Sequence, residues 1–291
     1  MRAPILYSAW YRNFTSFNLE GIRGFINKLK DARFDGIELS IDYPLYFKVK
    51  TQEIITHYLR HEGLYLSIHL PWRDLELASP IEEVRTASLS IILKCIDELS
   101  KLEPKYFVLH LTTEQDFCGY MNRDCIASAK RSLEQIITKC KDVSIPLLIE
   151  TTHDKCCSNE DTLPYILTEF KDEPYVGVCL DPVHLLSRRV KMWGSSEDVI
   201  EVVKSLPPII IDKIEALHIH NYRRLSYGLT YVHLIPDDDV LNDFIEVIRY
   251  LSGKVKIMTI EVYKDLSGRD IDVSQLRHVV MVLKEGITDS T

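Results

Sequence analysis

The chain has 291 residues, 46% of them hydrophobic, which suits one large α/β barrel or two smaller domains and excludes disorder throughout. A formal net charge of -8 and a pI near 5.7 give no general attraction for nucleic acid or an anionic membrane. With no signal peptide, no apolar span of bilayer length, and seven cysteines lacking any C-x-x-C pair, reduced thiols and a cytoplasmic location are expected.

In chain order, a first strand begins at Ile5-Leu6-Tyr7, followed by a polar turn from Asn13 to Asn18 and an amphipathic helix over about Leu19 to Ala32. The strand Phe34 to Leu39, a helix near Gln52 to Glu62, the strand Leu64 to His69 and a helix from Pro80 to Leu102 repeat the pattern. Next come the strand Tyr106 to His110, a helix over Arg123 to Lys141, the strand Ile145 to Glu150, a helix over Asp161 to Phe170, and the strand Val176 to Asp181. A polar segment at Arg188 to Ser196 and a helix lead to the strand Ala216 to His220. A long loop, a helix near Asp239 to Leu251, the strand Val255 to Val262 and a helix over Val273 to Lys284 complete the chain. Strict alternation implies right-handed parallel crossovers, and eight strand and helix pairs without a Gly/Pro linker predict one closed (β/α)8 barrel over residues 1–291. A doubly wound open sheet is the rival, but no G-x-G-x-x-G follows the first strand.

The strand ends carry residues that hydrophobic patterning does not require: Glu38, His69, His110, Glu150, Asp181, His218 and Glu261. In a barrel those ends form one ring, so acids and imidazoles far apart in sequence converge there. Several carboxylates in a low-dielectric pocket either raise one another's pKa or share cations, and the imidazoles among them point to cations. Nitrogen and oxygen ligands without thiolate favour Zn, Mn, Fe or Co. Structural readings compete residue by residue. His69 and His110 also suit hydrogen-bonded core histidines, and Glu38 suits a structural ion pair. Asp181 before Pro182 suits a helix N-cap as well as a ligand. Glu150 and Glu261 end strongly apolar strands, where a buried acid needs a partner, and they form a candidate acid and base. His220, two residues beyond His218 on the same strand face, is read as orienting a ligand or touching substrate. Cys156 and Cys157 are vicinal, and Cys118 with Cys125 makes no zinc motif; His57, His61, His153 and His278 read as ordinary solvated residues.

On the series His69, His110, Glu150, the run Val176-Gly177-Val178-Cys179-Leu180-Asp181 with His184 three residues on, then His218, His233 and Glu261, the chain resembles the xylose-isomerase-like TIM barrel superfamily. That group includes the endonuclease IV (AP endonuclease 2) family and sugar or sugar-phosphate isomerases and epimerases, and the resemblance spans essentially the whole chain. The nuclease pattern implies three metals: one on His69, His110 and Glu150, a second on Glu150, Asp181, His218 and Glu261, and a third on His184 and His233. Departures from it are specific. Tyr231 stands where the nuclease has an aspartate ligand, Leu234-Ile235-Pro236 replaces a glycine-rich turn, and Leu111-Thr112 replaces Pro-Gly after His110. Glu38-Leu39-Ser40 is similar to the isomerase and epimerase branch.

The resemblance therefore implies an isomerase or epimerase of a small sugar or sugar phosphate, using one to three divalent ions (Zn or Mn; Co or Mg also serve). Glu150 and Glu261 would move the proton through an enediolate, and His184, Glu38, Trp72 and His220 would contact substrate, with Tyr7 and Trp10 in an apolar wall. The alternative is a zinc phosphodiesterase acting at abasic DNA. Arg188, Arg189, Lys191, Arg223 and Arg224 would then meet phosphates, or a pocket for a sugar phosphate. A barrel that only binds a ligand is a third reading, opposed by the intact pair Glu150 and Glu261.

Overall fold

Eight parallel strands close on themselves in the computed structural model of the chain, which describes residues 3–14, 18–42, 45, 48–111, 122–224 and 230–288. They are β1 (Ile5–Ala9), β2 (Gly36–Ser40), β3 (Tyr65–His69), β4 (Phe107–Leu109), β5 (Leu147–Glu150), β6 (Val176–Leu180), β7 (Ile214–Ile219) and, after a separate antiparallel hairpin of β8 (Asn221–Arg224) and β9 (Thr230–Leu234), β10 (Ile257–Ile260). β1 pairs with both β2 and β10, which closes the barrel. The crossovers carry helices α1 (Leu19–Asp31), α2 (Val49–His61), α3 (Glu82–Leu99), α4 (Asn122–Val143), α5 (Leu163–Leu167), α6 (Pro182–Trp193), α7 (Val199–Lys204), α8 (Pro208–Lys213), α9 (Asp238–Tyr250) and α10 (Arg277–Thr288). The predicted (β/α)8 barrel is the architecture observed. Among the described residues no helix is long and apolar enough to cross a membrane.

Nearly every barrel strand is buried along its whole length, because helices cover the outside and side chains fill the inside. The large core packs strands against helices, while Leu6, Tyr106, Val108, Leu148, Cys179 and Ala216 form a second apolar cluster in the barrel. Gly36 is required where it stands: a Cβ there would meet the backbone oxygen of Tyr65 on β3 at 2.2 Å.

Three expectations change. The long loop after His220 contains the β8–β9 hairpin, whose alternation in Tyr231-Val232-His233-Leu234 is too short to read as a strand from sequence. The segment from Arg188 is not loop, since α6 runs through Trp193, and Arg188 and Arg189 are buried. Their guanidinium groups pair with Glu160 at 3.2 Å each, and Arg189 also reaches Glu197 at 2.7 Å. Those two arginines brace the loop after β5 and offer nothing to a phosphate. Lastly, Cys156 and Cys157 are joined as a vicinal disulfide rather than reduced, while Cys95, Cys125, Cys140 and Cys179 are buried and outside any disulfide. The turn residues 15–17, Thr112, Cys118 and the side chain of Tyr231 lie outside the described residues.

Candidate active site

Glu150 ends β5 with its carboxylate completely enclosed, and four imidazoles surround it. Nε2 of His69 lies 3.0 Å and Nε2 of His110 3.1 Å from Oε2, while Nδ1 of His184 and of His218 lie 3.3 Å and 3.6 Å from Oε1. The other nitrogen of His69 faces the carbonyl of Leu70 at 2.9 Å. A carbonyl only accepts, so Nδ1 carries a proton and Nε2 is turned toward the carboxylate, the arrangement that prepares an imidazole for a cation.

Asp181 caps the helix with one oxygen and leaves the other within the cluster. Oδ1 accepts the backbone N–H of His184 at 2.9 Å and starts α6, with Pro182 in the first turn. Oδ2 faces the imidazoles, 3.4 Å from Nδ1 of His184 and 4.0 Å from Nδ1 of His218. Glu261, one residue past β10, places Oε2 3.1 Å from Nδ1 of His218. Ligand atoms of Glu150, Asp181, His218 and Glu261 all lie within 4.8 Å of one another, as do those of His69, His110 and Glu150, and those of His184, His220 and His233.

Burial disfavours charge on all these groups, yet the carboxylates stay ionised. For Glu150 the charge of His218 and hydrogen bonds from His110 and His184 outweigh burial and hold its pKa well below the usual range; for Glu261 the hydrogen bond and charge of His218 do so. Asp181, against burial, is pulled to about 2 by His184 and His220. Reciprocally, burial lowers His69 but Glu150 lifts it to about 9, and Asp181 and Glu150 lift His184 to about 9. Burial keeps His110 and His233 on the neutral side. In the metal-free protein the three ionised carboxylates are matched by protonated His69, His184 and His218, charge that a bound cation would replace. Nδ1 of His184 and of His218 and Oε2 of Glu261 are buried without a hydrogen-bond partner. Orphaned atoms of this donor set fit a divalent cation of the Zn or Mn type.

Two expected substrate contacts lie elsewhere. Glu38 is completely buried and does not line the cavity: Oε2 accepts the Tyr106 hydroxyl at 2.9 Å and Thr259 Oγ1 at 3.2 Å, and Oε1 stands 3.0 Å from Nε2 of His218. It sits behind His218, on the Nε2 side of the ring, away from the acids that Nδ1 faces. His220 is equally enclosed. Its Nδ1 accepts the backbone N–H of His233 at 3.1 Å, which leaves the proton on Nε2 to be donated to Asp181 Oδ2 at 2.9 Å. His220 therefore orients Asp181. His233 holds a left-handed backbone, φ 62°, a conformation costing about 1–3 kcal/mol that recurs at functional sites.

The cluster opens into a cavity of about 300 Å³ lined by Trp10, Trp72, His110, His184, His233 and Tyr263, with Ser40, Asp42, Arg73 and Asp154 among the others. Trp72 stacks on His110 at 5.2 Å, and Trp10 packs near Tyr263 at 5.9 Å. Tyr7 is core instead, buried against Phe25 and Phe34. His153 is not a solvated residue: it lines the cavity and meets His184 edge-on at 5.4 Å. His57, His61 and His278 are exposed as expected. Tyr263 is the residue that strand-end reading missed. Its hydroxyl donates to Oε1 of Glu261 at 2.9 Å, and it lies two residues past Glu261, the spacing that keeps a side chain on one face.

A closed (β/α)8 barrel with a ring of acids and imidazoles at the carboxyl ends of its strands defines the protein as a TIM barrel with a candidate metal site. The family described as xylose isomerase-like TIM barrel matches residues 26–280, and the chain belongs to it. A ketose 3-epimerase of Arthrobacter globiformis is 24% identical over 204 residues, which is 65% of this chain and 65% of that one. The match thus spans just under two thirds of that relative. Among solved structures, the D-allulose 3-epimerase of Methylomonas sp. in complex with D-allulose superimposes with a TM-score of 0.69 at 15% identity, covering 100% of this chain and 98% of that one. A Thermus thermophilus protein soaked with ZnCl2 gives a TM-score of 0.64 at 17% identity over 97% and 98% of the two chains.

Proposed function

We propose that the protein is a divalent-metal-dependent epimerase or isomerase of a small sugar or sugar derivative. The observation that carries this reading is the quartet Glu150, Asp181, His218 and Glu261, whose ligand atoms lie within 4.8 Å of one another beside a cavity of about 300 Å³. That space suits a sugar rather than a polymer strand. The epimerase relatives and their shared fold support the same class.

When bound, the cation supplies positive charge to the oxygens of a ketone and its neighbouring hydroxyl. Both glutamates stay ionised, so either is able to accept a proton from the carbon that bears that hydroxyl, and inversion needs a donor on the opposite face. His69 and His110 fix Oε2 of Glu150, and Tyr263 fixes Oε1 of Glu261, so the two bases are held in place before substrate arrives. Trp10 and Trp72 supply the apolar wall, and His184 is placed to meet a hydroxyl. Further ions on His69, His110 and Glu150, or on His184 and His233, are compatible with the nitrogens present. His220 would join the latter only by giving up its hydrogen bond to Asp181.

The nuclease reading loses support with Arg188 and Arg189, which are buried and paired. The test is incubation of metal-loaded protein with a ketose panel in deuterated water. Deuterium should enter the carbon beside the carbonyl and fail to do so in Glu261→Gln. Nicking of an abasic-site oligonucleotide that depends on Glu261, without exchange into any sugar, would replace this reading by the phosphodiesterase.

A further inference from the structure

Arg73 follows Trp72 in the loop after β3 and lines the cavity with its side chain 51% exposed. Its guanidinium lies 4.9 Å from the Trp10 ring centroid and 4.8 Å from that of Trp72, so two indoles fix it. The carboxylate beside it is Asp42, with 3.9 Å between Oδ2 and Nε, beyond hydrogen-bond reach. Asp42 is already engaged: Oδ1 faces the backbone N–H groups of Trp72 and Arg73 at 3.2 Å and 3.5 Å, and Oδ2 faces the Ser40 hydroxyl at 3.4 Å. Among the described residues the Arg73 guanidinium donates no hydrogen bond, although it carries five N–H groups. A second guanidinium, Arg12, stands 5.2 Å from the same Trp10 ring. Trp72 in turn stacks at 5.2 Å on His110, so one indole joins Arg73 to a candidate metal ligand, and both line the same cavity of about 300 Å³.

We infer that Arg73 is the anion-binding group of this cavity, and that the substrate is a ketose carrying an oxyanion, a phosphate monoester or a carboxylate, at the end remote from its carbonyl. A tryptophan-clamped fork with its donors unused matches the planar or trigonal array of such oxygens. Asp42 serves it indirectly, by stapling the loop of Trp72 and Arg73 to the end of β2. The inference rests on the reading of the site as a sugar epimerase or isomerase.

The test compares metal-loaded wild type, Arg73→Gln and Arg73→Lys on three ketoses of one skeleton: neutral, terminally phosphorylated and terminally carboxylated. Wild type should prefer one of the anionic ketoses by about ten-fold or more in kcat/KM, the better of the two naming the oxyanion. In Arg73→Gln that preference should fall about 10- to 100-fold, mainly through KM, and Arg73→Lys should recover part of it. Equal use of neutral and anionic ketoses, or a preference that survives Arg73→Gln, overturns the inference and leaves the epimerase reading standing. Should no ketose turn over, the epimerase reading fails, and calorimetric titration with the phosphorylated ketose decides this one: binding lost in Arg73→Gln supports it, and no binding refutes it.

Discussion

Replacing Glu150 by glutamine removes the charge that four imidazoles share while keeping the side chain's shape. In metal-free protein Glu150 overcomes the burial that lowers His69 and lifts it to about 9, against an ordinary 6.5. A histidine whose folded pKa is raised contributes stability that is fully present below the unfolded value and is lost as pH rises through the folded one. At neutral pH that contribution is about 3 kcal/mol for His69, which corresponds to a fall in Tm of roughly 5–10 °C. The destabilisation in Glu150→Gln should therefore be largest below about pH 6.5 and fade as pH passes 9, where the wild type has lost the same interaction. Urea unfolding of both proteins with a chelator present, at pH 6, 7.5 and 9.5, reads this directly. A difference that is constant across the range would mean that Glu150 stabilises by packing and hydrogen bonds, and would refute the charge argument for the cluster.

Metal binding at the quartet must displace the proton of His218, which against burial is held well above its ordinary pKa by Cys179, Glu38 and Glu150, so affinity for Mn or Zn should climb as pH rises from 6.5. Calorimetry in buffers of different ionisation enthalpy should register the released protons, and a pH-independent affinity would contradict the assignment. His220→Ala should weaken metal binding about 10- to 100-fold by freeing Asp181 Oδ2, as loss of an orienting partner does; a chelator competition showing no change would return His220 to a packing role. Gly36→Ala forces a Cβ to within 2.2 Å of a backbone oxygen of β3 and should cost at least about 1–3 kcal/mol in a thermal melt, with an unaltered Tm excluding the close approach.

Two arginines illustrate how a surface reading goes astray. Arg188 and Arg189 stand beside Lys191 in a segment that looks solvated, yet helix α6 carries them inward onto Glu160, a residue that nothing local in the sequence ties to them. Opposite charges separated by a crossover find each other only when the barrel closes. Arg73 is the converse, a residue between Trp72 and Asp74 with no local signal, which the indoles of Trp10 and Trp72 hold at the cavity.

The amino-acid order alone determined the alternation of apolar strands and amphipathic helices, and with it the barrel, because hydrophobic period and crossover handedness leave few alternatives. It also placed Glu150, Asp181, His218 and Glu261 near strand ends, where a ring of acids and imidazoles has to meet. Depth was not legible. A period of two says which face a side chain takes but not how far along the axis it sits, and that is set by the register between strands. On β2 it is Ser40 that pairs with His69, while Glu38 pairs with Ser67 one layer deeper, so Glu38 reaches His218 from behind and never the cavity. Tertiary structure likewise decided that His220 holds Asp181 and that Tyr263 holds Glu261, since each contact joins groups whose separation is fixed by closure of the sheet.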